Sequence, residues 1–241
     1  VQQLSCSRIF KQDSSVHGVT KSPPKKTEFW FKTINFVSQI KTMILPIVAY
    51  GDPVLKKEAE ELDEDFPNLK GFIDDMFETM YAASGVGLAA PQIGKSIRIF
   101  IVDGTAFAED EDEEGNADPR AAGMENFKKV FINPIIEEES GEKWGFNEGC
   151  LSIPTIREEV FRKEKIVVSY FDENWTLKEE AFEGYKARII QHEYDHIDGV
   201  LFTDHLSPLK KRLLNKKLQN ISKGDVKADY KMKFPAKKKQ R

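Results

Sequence analysis

Residues able to cross-link or bind soft metals are scarce in this chain. Among 241 residues there are two cysteines, Cys6 and Cys150, and four histidines. Two cysteines so far apart do not form a disulfide framework, so stability must come from a packed core, and a reducing compartment is expected. Long apolar runs are also missing. None reaches the roughly 18 residues of a helical membrane span, and Phe29-Trp30-Phe31 is far too short, so no membrane partner is expected. Acid is scarce at both ends. Residues 1–42 hold seven Lys/Arg against Asp13 and Glu28, a net +5, and residues 207–241 hold thirteen against Asp225 and Asp229, a net +11. The whole chain is −4, which leaves −20 on residues 43–206. An acidic body with basic ends says more about partners than the overall charge does.

What is present is ordinary for a globular enzyme, with 40% hydrophobic and 32% charged residues. Residues 1–42 show no sustained period of two or 3.6. Met43 stands directly before the first patterned segment, so 1–42 reads either as non-native upstream sequence or as a transit-like tail bound for an organelle. Leu69, Ile73, Met76, Phe77, Met80 and Tyr81 follow helical spacing and predict a helix ending before Gly85. Gly85 to Gln92 reads as a loop and Ile97 to Asp103 as a buried strand. The acidic run Glu109 to Glu114 marks residues 104–127 as a solvated insertion. Val130 to Glu138 reads as a strand interrupted by Pro134. Ile166–Phe171 and Thr176–Phe182 read as a hairpin turning at Asp172-Glu173-Asn174. Leu209, Leu213, Leu214, Leu218 and Ile221 predict a helix opened by Ser207-Pro208, and the basic tail past Gly224 reads as disordered. Strands with short connections and few helices give an α+β fold: mostly antiparallel sheets around a central helix, with a C-terminal helix. The expected organisation is a tail at 1–42, a catalytic domain at 43–206 and a basic helix and tail at 207–241.

That central helix carries His192-Glu193-Tyr194-Asp195-His196. Helical positions four apart share a face, so both imidazoles can reach one metal ion. Glu193 sits about 100° round the axis, better placed to touch a metal-associated water than to be a ligand. H-E-x-x-H in this setting is the pattern of zinc hydrolases, with the glutamate as general base. A third ligand must come from elsewhere: Cys150, His205 or a carboxylate. Cys150 follows the small Gly149, and as a thiolate it would bind well, although a lone cysteine is more often a small buried hydrophobe.

Three motifs occur in order: G-x-G-L-A-A-P-Q at 85–92, E-G-C-L-S at 148–152 and Q-H-E-x-D-H at 191–196. Together they resemble the signatures of the peptide deformylase family, over roughly Met43 to Leu218. The resemblance implies a metal-dependent hydrolase that removes the formyl group from the N-terminal formyl-methionine of new proteins. Cys150, His192 and His196 would bind the metal, natively Fe(II), with Zn, Ni or Co able to replace it. Glu193 would be the general base and acid, with Gln92 and the Leu151 N–H binding the oxyanion. Gly87 and Leu88 would line the cleft, Glu148 would support the ligands, and Arg162 would be its ionic partner. For the methionine side chain, Ile189 and Tyr185, one and two helical turns before the ligands, would wall a slot, with Val86, Ile153 and Arg157 as weaker candidates. Tyr185 and Arg188 depart from the aliphatic residues of the best-known bacterial members, and the insertion at 104–127 departs from the shorter forms. Expected partners are N-formyl-Met nascent peptides and, through the basic C-terminal segment, ribosomal RNA. A monomer in a bacterial cytoplasm is expected, or an organelle if 1–42 is a transit peptide. A generic metalloprotease and a non-catalytic ribosome-binding relative are the competing readings.

Overall fold

The computed structural model describes residues 42–108 and 118–236. The tail at 1–41, the acidic run at 109–114 and Lys237–Arg241 lie outside the described residues. In chain order the elements are β1 (Ile47–Val48), α1 (Leu69–Ala82), β2 (Gly87–Ala89), β3 (Ile99–Asp103), β4 (Lys128–Cys150), β5 (Ile153–Phe171), β6 (Leu177–Glu183), α2 (Gly184–Ile197), α3 (Pro208–Lys223) and β7 (Met232–Lys233). Short 3₁₀ turns connect several of them. Strands β2 to β6 form one sheet in sequential order, every pair antiparallel, while β1 and β7 form a separate parallel pair. The architecture is the expected α+β, mostly antiparallel.

The long β4–β5 hairpin dominates the sheet. Its two-residue turn is Leu151-Ser152, flanked by the paired Cys150 and Ile153. The E-G-C-L-S motif is therefore a hairpin tip, where both flanking strands restrict the backbone. Pro134 does not interrupt β4. The register slips between Ile132 and Ile135, and Asn133 takes the left-handed conformation at φ 48°. A bulge tolerates a residue that cannot donate to the ladder, so the strand continues past it. Asn133 bonds Leu62 through both its amide N and O, tying the bulge to the segment before α1. The β5–β6 hairpin pairs Ile166 with Phe182 and Phe171 with Leu177, as expected from the alternation.

Helix α1 buries Ile73, Met76, Phe77 and Met80 and ends at Ala82. Tyr81 is exposed, its hydroxyl donating to Asp103. The expected loop at Gly85–Gln92 is instead strand β2 followed by a 3₁₀ turn at Ala90–Ile93. Its three paired residues are too few to show alternation. Helix α2 is buried nearly all round and packs on the sheet. Its start at Gly184 needs φ +59°, and a Cβ there would lie 2.6 Å from the Arg120 carbonyl oxygen. Among the described residues, no helix is long and apolar enough to cross a membrane.

Three further expectations change. Helix α3 buries Leu214, Leu218 and Ile221, but Leu209 and Leu213 are 66% and 71% exposed, so its apolar face is narrower than the leucine spacing predicts. Residues 225–236 are not a loose tail. They return along the body, and β7 pairs with β1, with Ile47 N–H donating to Lys231 O and Ala49 N–H to Lys233 O, both at 2.8 Å. The described ends of the 104–127 insertion are anchored rather than solvated. Phe107, Met124 and Phe127 enter the core, and buried Asp118 accepts from Arg120 and from the Tyr185 hydroxyl.

Candidate active site

Three pieces of chain meet at one place: β2 with its following turn, the β4–β5 hairpin tip, and α2. Cys150, His192 and His196 each present one donor atom, all within 4.8 Å of one another. Cys150 Sγ lies 3.2 Å from His196 Nε2. All three side chains are buried. Burial pushes the Cys150 thiol up to about 12 and lowers both imidazoles, His196 to about 3. His192 Nε2 and His196 Nδ1 have no protein partner. Buried polar atoms without a partner are costly, and a dication held by two imidazoles and a thiolate would satisfy His192 Nε2; on His196 the nitrogen beside the thiol is Nε2, not the unpaired Nδ1. The donor set fits a divalent transition metal.

The support behind these residues is equally buried. Glu148 is fully inaccessible and sits at the centre of a charged network. Arg162 donates to both its oxygens, at 2.7 and 3.0 Å, and Arg188 donates to Oε1 at 2.9 Å. Its Oε2 is 2.9 Å from His192 Nδ1. Burial works against ionisation of Glu148, but the Arg162 charge and these hydrogen bonds hold its carboxyl well below the usual range. An ionised acceptor at Nδ1 keeps the proton there and leaves Nε2 with its lone pair toward the site. Arg162 extends the network to Asp195 at 2.8 Å, and Asp195 to His205 at 2.7 Å. His205 is thereby engaged by Asp195 and is not in the donor cluster.

Glu193 is 1% exposed, its Oε2 has no partner, and burial raises its carboxyl to about 8. Gly87 explains how it fits, because a Cβ there would stand 2.4 Å from Glu193 Oε1. Only glycine lets β2 pass so close. Gln92 is oriented by its own turn. Its Oε1 accepts the Ala89 N–H at 2.8 Å, which directs the amide nitrogen to within 3.5 Å of Cys150 Sγ. Leu151 and Leu88 are buried, and β2 is the edge strand of its sheet. Val86, Tyr185 and Ile189 belong to one hydrophobic cluster, with Phe107 and the partly buried Trp144 and Phe146. Arg157 is exposed and lines a cavity of about 310 Å³ together with Gly149, Cys150, Leu151, Ile153 and Tyr230. The structure thus gathers the metal-ligand candidates, Glu193, Gln92, Glu148 and Arg162 into one buried cluster, and keeps Arg157 at its rim.

Sequence reasoning missed the part played by Arg188. It is 1% exposed, also donates to the carbonyls of Val160 and Trp144, and lies 4.2 Å from the Trp144 ring. The signal was available, since Arg188 lies four residues before His192 on the same helical face. The partners contributed by Phe107, Trp144 and Tyr230 had no such signal.

The family model for polypeptide deformylase matches residues 44–212. The chain is 57% identical over 199 residues to a peptide deformylase of Christiangramia forsetii, covering 83% of this chain and all of that one. It is 56% identical over 199 residues to that of Flavobacterium johnsoniae, again 83% of this chain and the whole relative. Among solved structures, the peptide deformylase of Legionella pneumophila superposes with a TM-score of 0.62 at 36% identity, over 76% of this chain and 98% of that one. That of Thermotoga maritima gives 0.58 at 41% identity, over 69% and 99%. These matches span the hairpin tip, β2 and α2, and the chain belongs to the peptide deformylase family, metal-dependent enzymes that remove the formyl group from the N-terminal methionine of nascent proteins.

Proposed function

We propose that Cys150, His192 and His196 hold a single divalent metal, natively Fe(II) and replaceable by Zn, Ni or Co, and that Glu193 moves the protons of the reaction. The convergence of three buried donors within 4.8 Å, with Glu193 beside them, carries this reading. Two nitrogens and one sulfur suit any of these metals. When bound, the metal supplies Lewis acidity, lowering the pKa of a water and polarising the formyl carbonyl.

Glu193 takes a proton from the attacking water and holds it. Burial raises the proton affinity of the Glu193 carboxylate, which makes its ionised form a stronger base than a carboxylate in water. The water oxygen bonds to the formyl carbon, and charge gathers on the formyl oxygen. The Gln92 amide and the Leu151 N–H donate to it. The C–N bond then breaks, Glu193 delivers its proton to the leaving nitrogen, and formate and a free methionyl amine result. The substrate backbone lies along the edge strand β2 at Gly87 and Leu88 as an added strand. The methionine side chain enters beside Val86, Tyr185 and Ile189, where neighbouring aromatic rings suit a thioether. Arg157 borders the path of the following residues. Glu148 and Arg162 hold His192 in its ligating tautomer.

The chain works as a monomer in a bacterial cytoplasm. Helix α3 faces ribosomal RNA with its exposed lysines, favoured by counterion release. Anaerobic purification with metal analysis and a formate-release assay on formyl-Met-Ala-Ser tests the metal and the reaction. One metal per chain, predominantly iron, with formate released is expected. Cleavage of internal peptide bonds without formate would sink this reading. Ribosome pelleting with and without residues 207–241, across salt, tests the contact. Equal retention would refute it.

A further inference from the structure

The segment after α3 reaches back to the hairpin tip. Tyr230 donates its hydroxyl to the Leu151 carbonyl at 2.7 Å. Leu151 and Ser152 are the only residues between the paired Cys150 and Ile153. The orientation of that turn is therefore set by few torsions. The next carbonyl, that of Ser152, accepts the Tyr50 N–H at 2.8 Å. Tyr50 follows β1, and β1 is paired to β7, which begins two residues after Tyr230. Both carbonyls of the turn are thus held by one two-stranded unit made from opposite ends of the described chain. The phenol is half-buried, packs against the hydrophobic cluster that contains Leu151, and closes one side of the 310 Å³ cavity beside Cys150. Burial raises its ionisation range, so it remains a donor. Tyr230 lies beyond residues 44–212, the span matched by the family model.

We propose that Tyr230 is a positioning residue for deformylation: its hydrogen bond to the Leu151 carbonyl holds the hairpin turn so that the Leu151 N–H points at the developing charge on the formyl oxygen. This rests on the proposed oxyanion role of Leu151. A donor matters in the transition state only if it is already aimed when charge develops. Freeing one carbonyl of a two-residue turn lets its torsions relax, and the loss falls on the chemical step rather than on substrate binding.

The test is Tyr230→Phe in the full-length, metal-loaded enzyme, which keeps the ring and removes only the donor. We expect kcat on formyl-Met-Ala-Ser to fall about five- to tenfold, the roughly 1 kcal/mol of one neutral hydrogen bond, at unchanged KM and unchanged metal per chain. A kcat within twofold of the parent overturns the proposal. So does a loss wholly accounted for by lost metal or unfolded protein, since that would make Tyr230 a structural tie only. A parallel Gln92→Ala variant separates the two readings. If it loses roughly 10²–10³ in kcat while Tyr230→Phe loses nothing, the oxyanion site stands and the clamp fails. If neither variant loses rate, the oxyanion reading itself fails.

Discussion

Helices α2 and α3 are of similar length, 14 and 16 residues, and both are rich in polar side chains. Their environments are opposite. On α2, Arg188, Gln191, His192, Glu193 and His196 are all buried, whereas on α3 only Leu214, Leu218 and Ile221 are. Burying polar groups costs free energy unless each finds a partner. Helix α2 meets that condition with Glu148, Arg162 and several carbonyls, and leaves His192 Nε2 and Glu193 Oε2 among its few unpaired polar atoms. Helix α3 avoids the cost by leaving its cations in water. Helix α2 keeps its buried polar groups only because its surroundings supply their partners, while the C-terminal helix is held by a narrow apolar stripe.

Substitutions can break this contrast, starting at the most sensitive point. Glu193→Ala should lower kcat/KM by about 10³ or more with metal content retained, because general base catalysis contributes roughly 10²–10⁴. Retention of the parental rate would remove Glu193 from the reaction. Next, Arg188→Met should destabilise the fold by about 2–4 kcal/mol, since it leaves Glu148 short of a cation and two carbonyls without a donor. Chemical denaturation measures it, and an unchanged midpoint would show that Arg162 alone suffices. On α3, Leu218→Ala should cost about 2–3 kcal/mol, while Leu213→Ala, at an exposed position, should cost less than about 0.5. Equal losses would mean that Leu213 is covered. Smallest in scope, stripping the metal with a chelator should speed amide exchange in α2 and at the hairpin tip through lost binding linkage, and leave α3 unchanged. Hydrogen-exchange mass spectrometry would show whether the two helices are uncoupled.

The chemistry-bearing parts were legible because they are local. His192, Glu193 and His196 sit at helical spacing, and the β5–β6 hairpin shows its alternation. Pro134 misled because a bulge cannot be inferred from one strand, only from the register of two. Leu209 and Leu213 misled because a stripe of leucines shows which residues can pack, not how far the neighbouring surface extends. Tyr185 was expected at the wall of a methionine slot; it lies in a hydrophobic cluster, and its hydroxyl partner Asp118 lies in an insertion that reads as solvent-facing.

By itself the sequence determined the fold class and the helix that carries H-E-x-x-H, because periodicity and short motifs are properties of neighbouring residues; it left Cys150, His205 and the carboxylates open as third-ligand candidates, and the family resemblance favoured Cys150. Only the tertiary structure decided that Gly87 must lack a side chain beside Glu193, that Arg188 shares Glu148 with Arg162, and that β7 returns to β1 and brings Tyr230 to Leu151. Those contacts join residues far apart in the chain. Their partners are selected by the space and charge left when the sheet and helices pack, and no local pattern records that outcome.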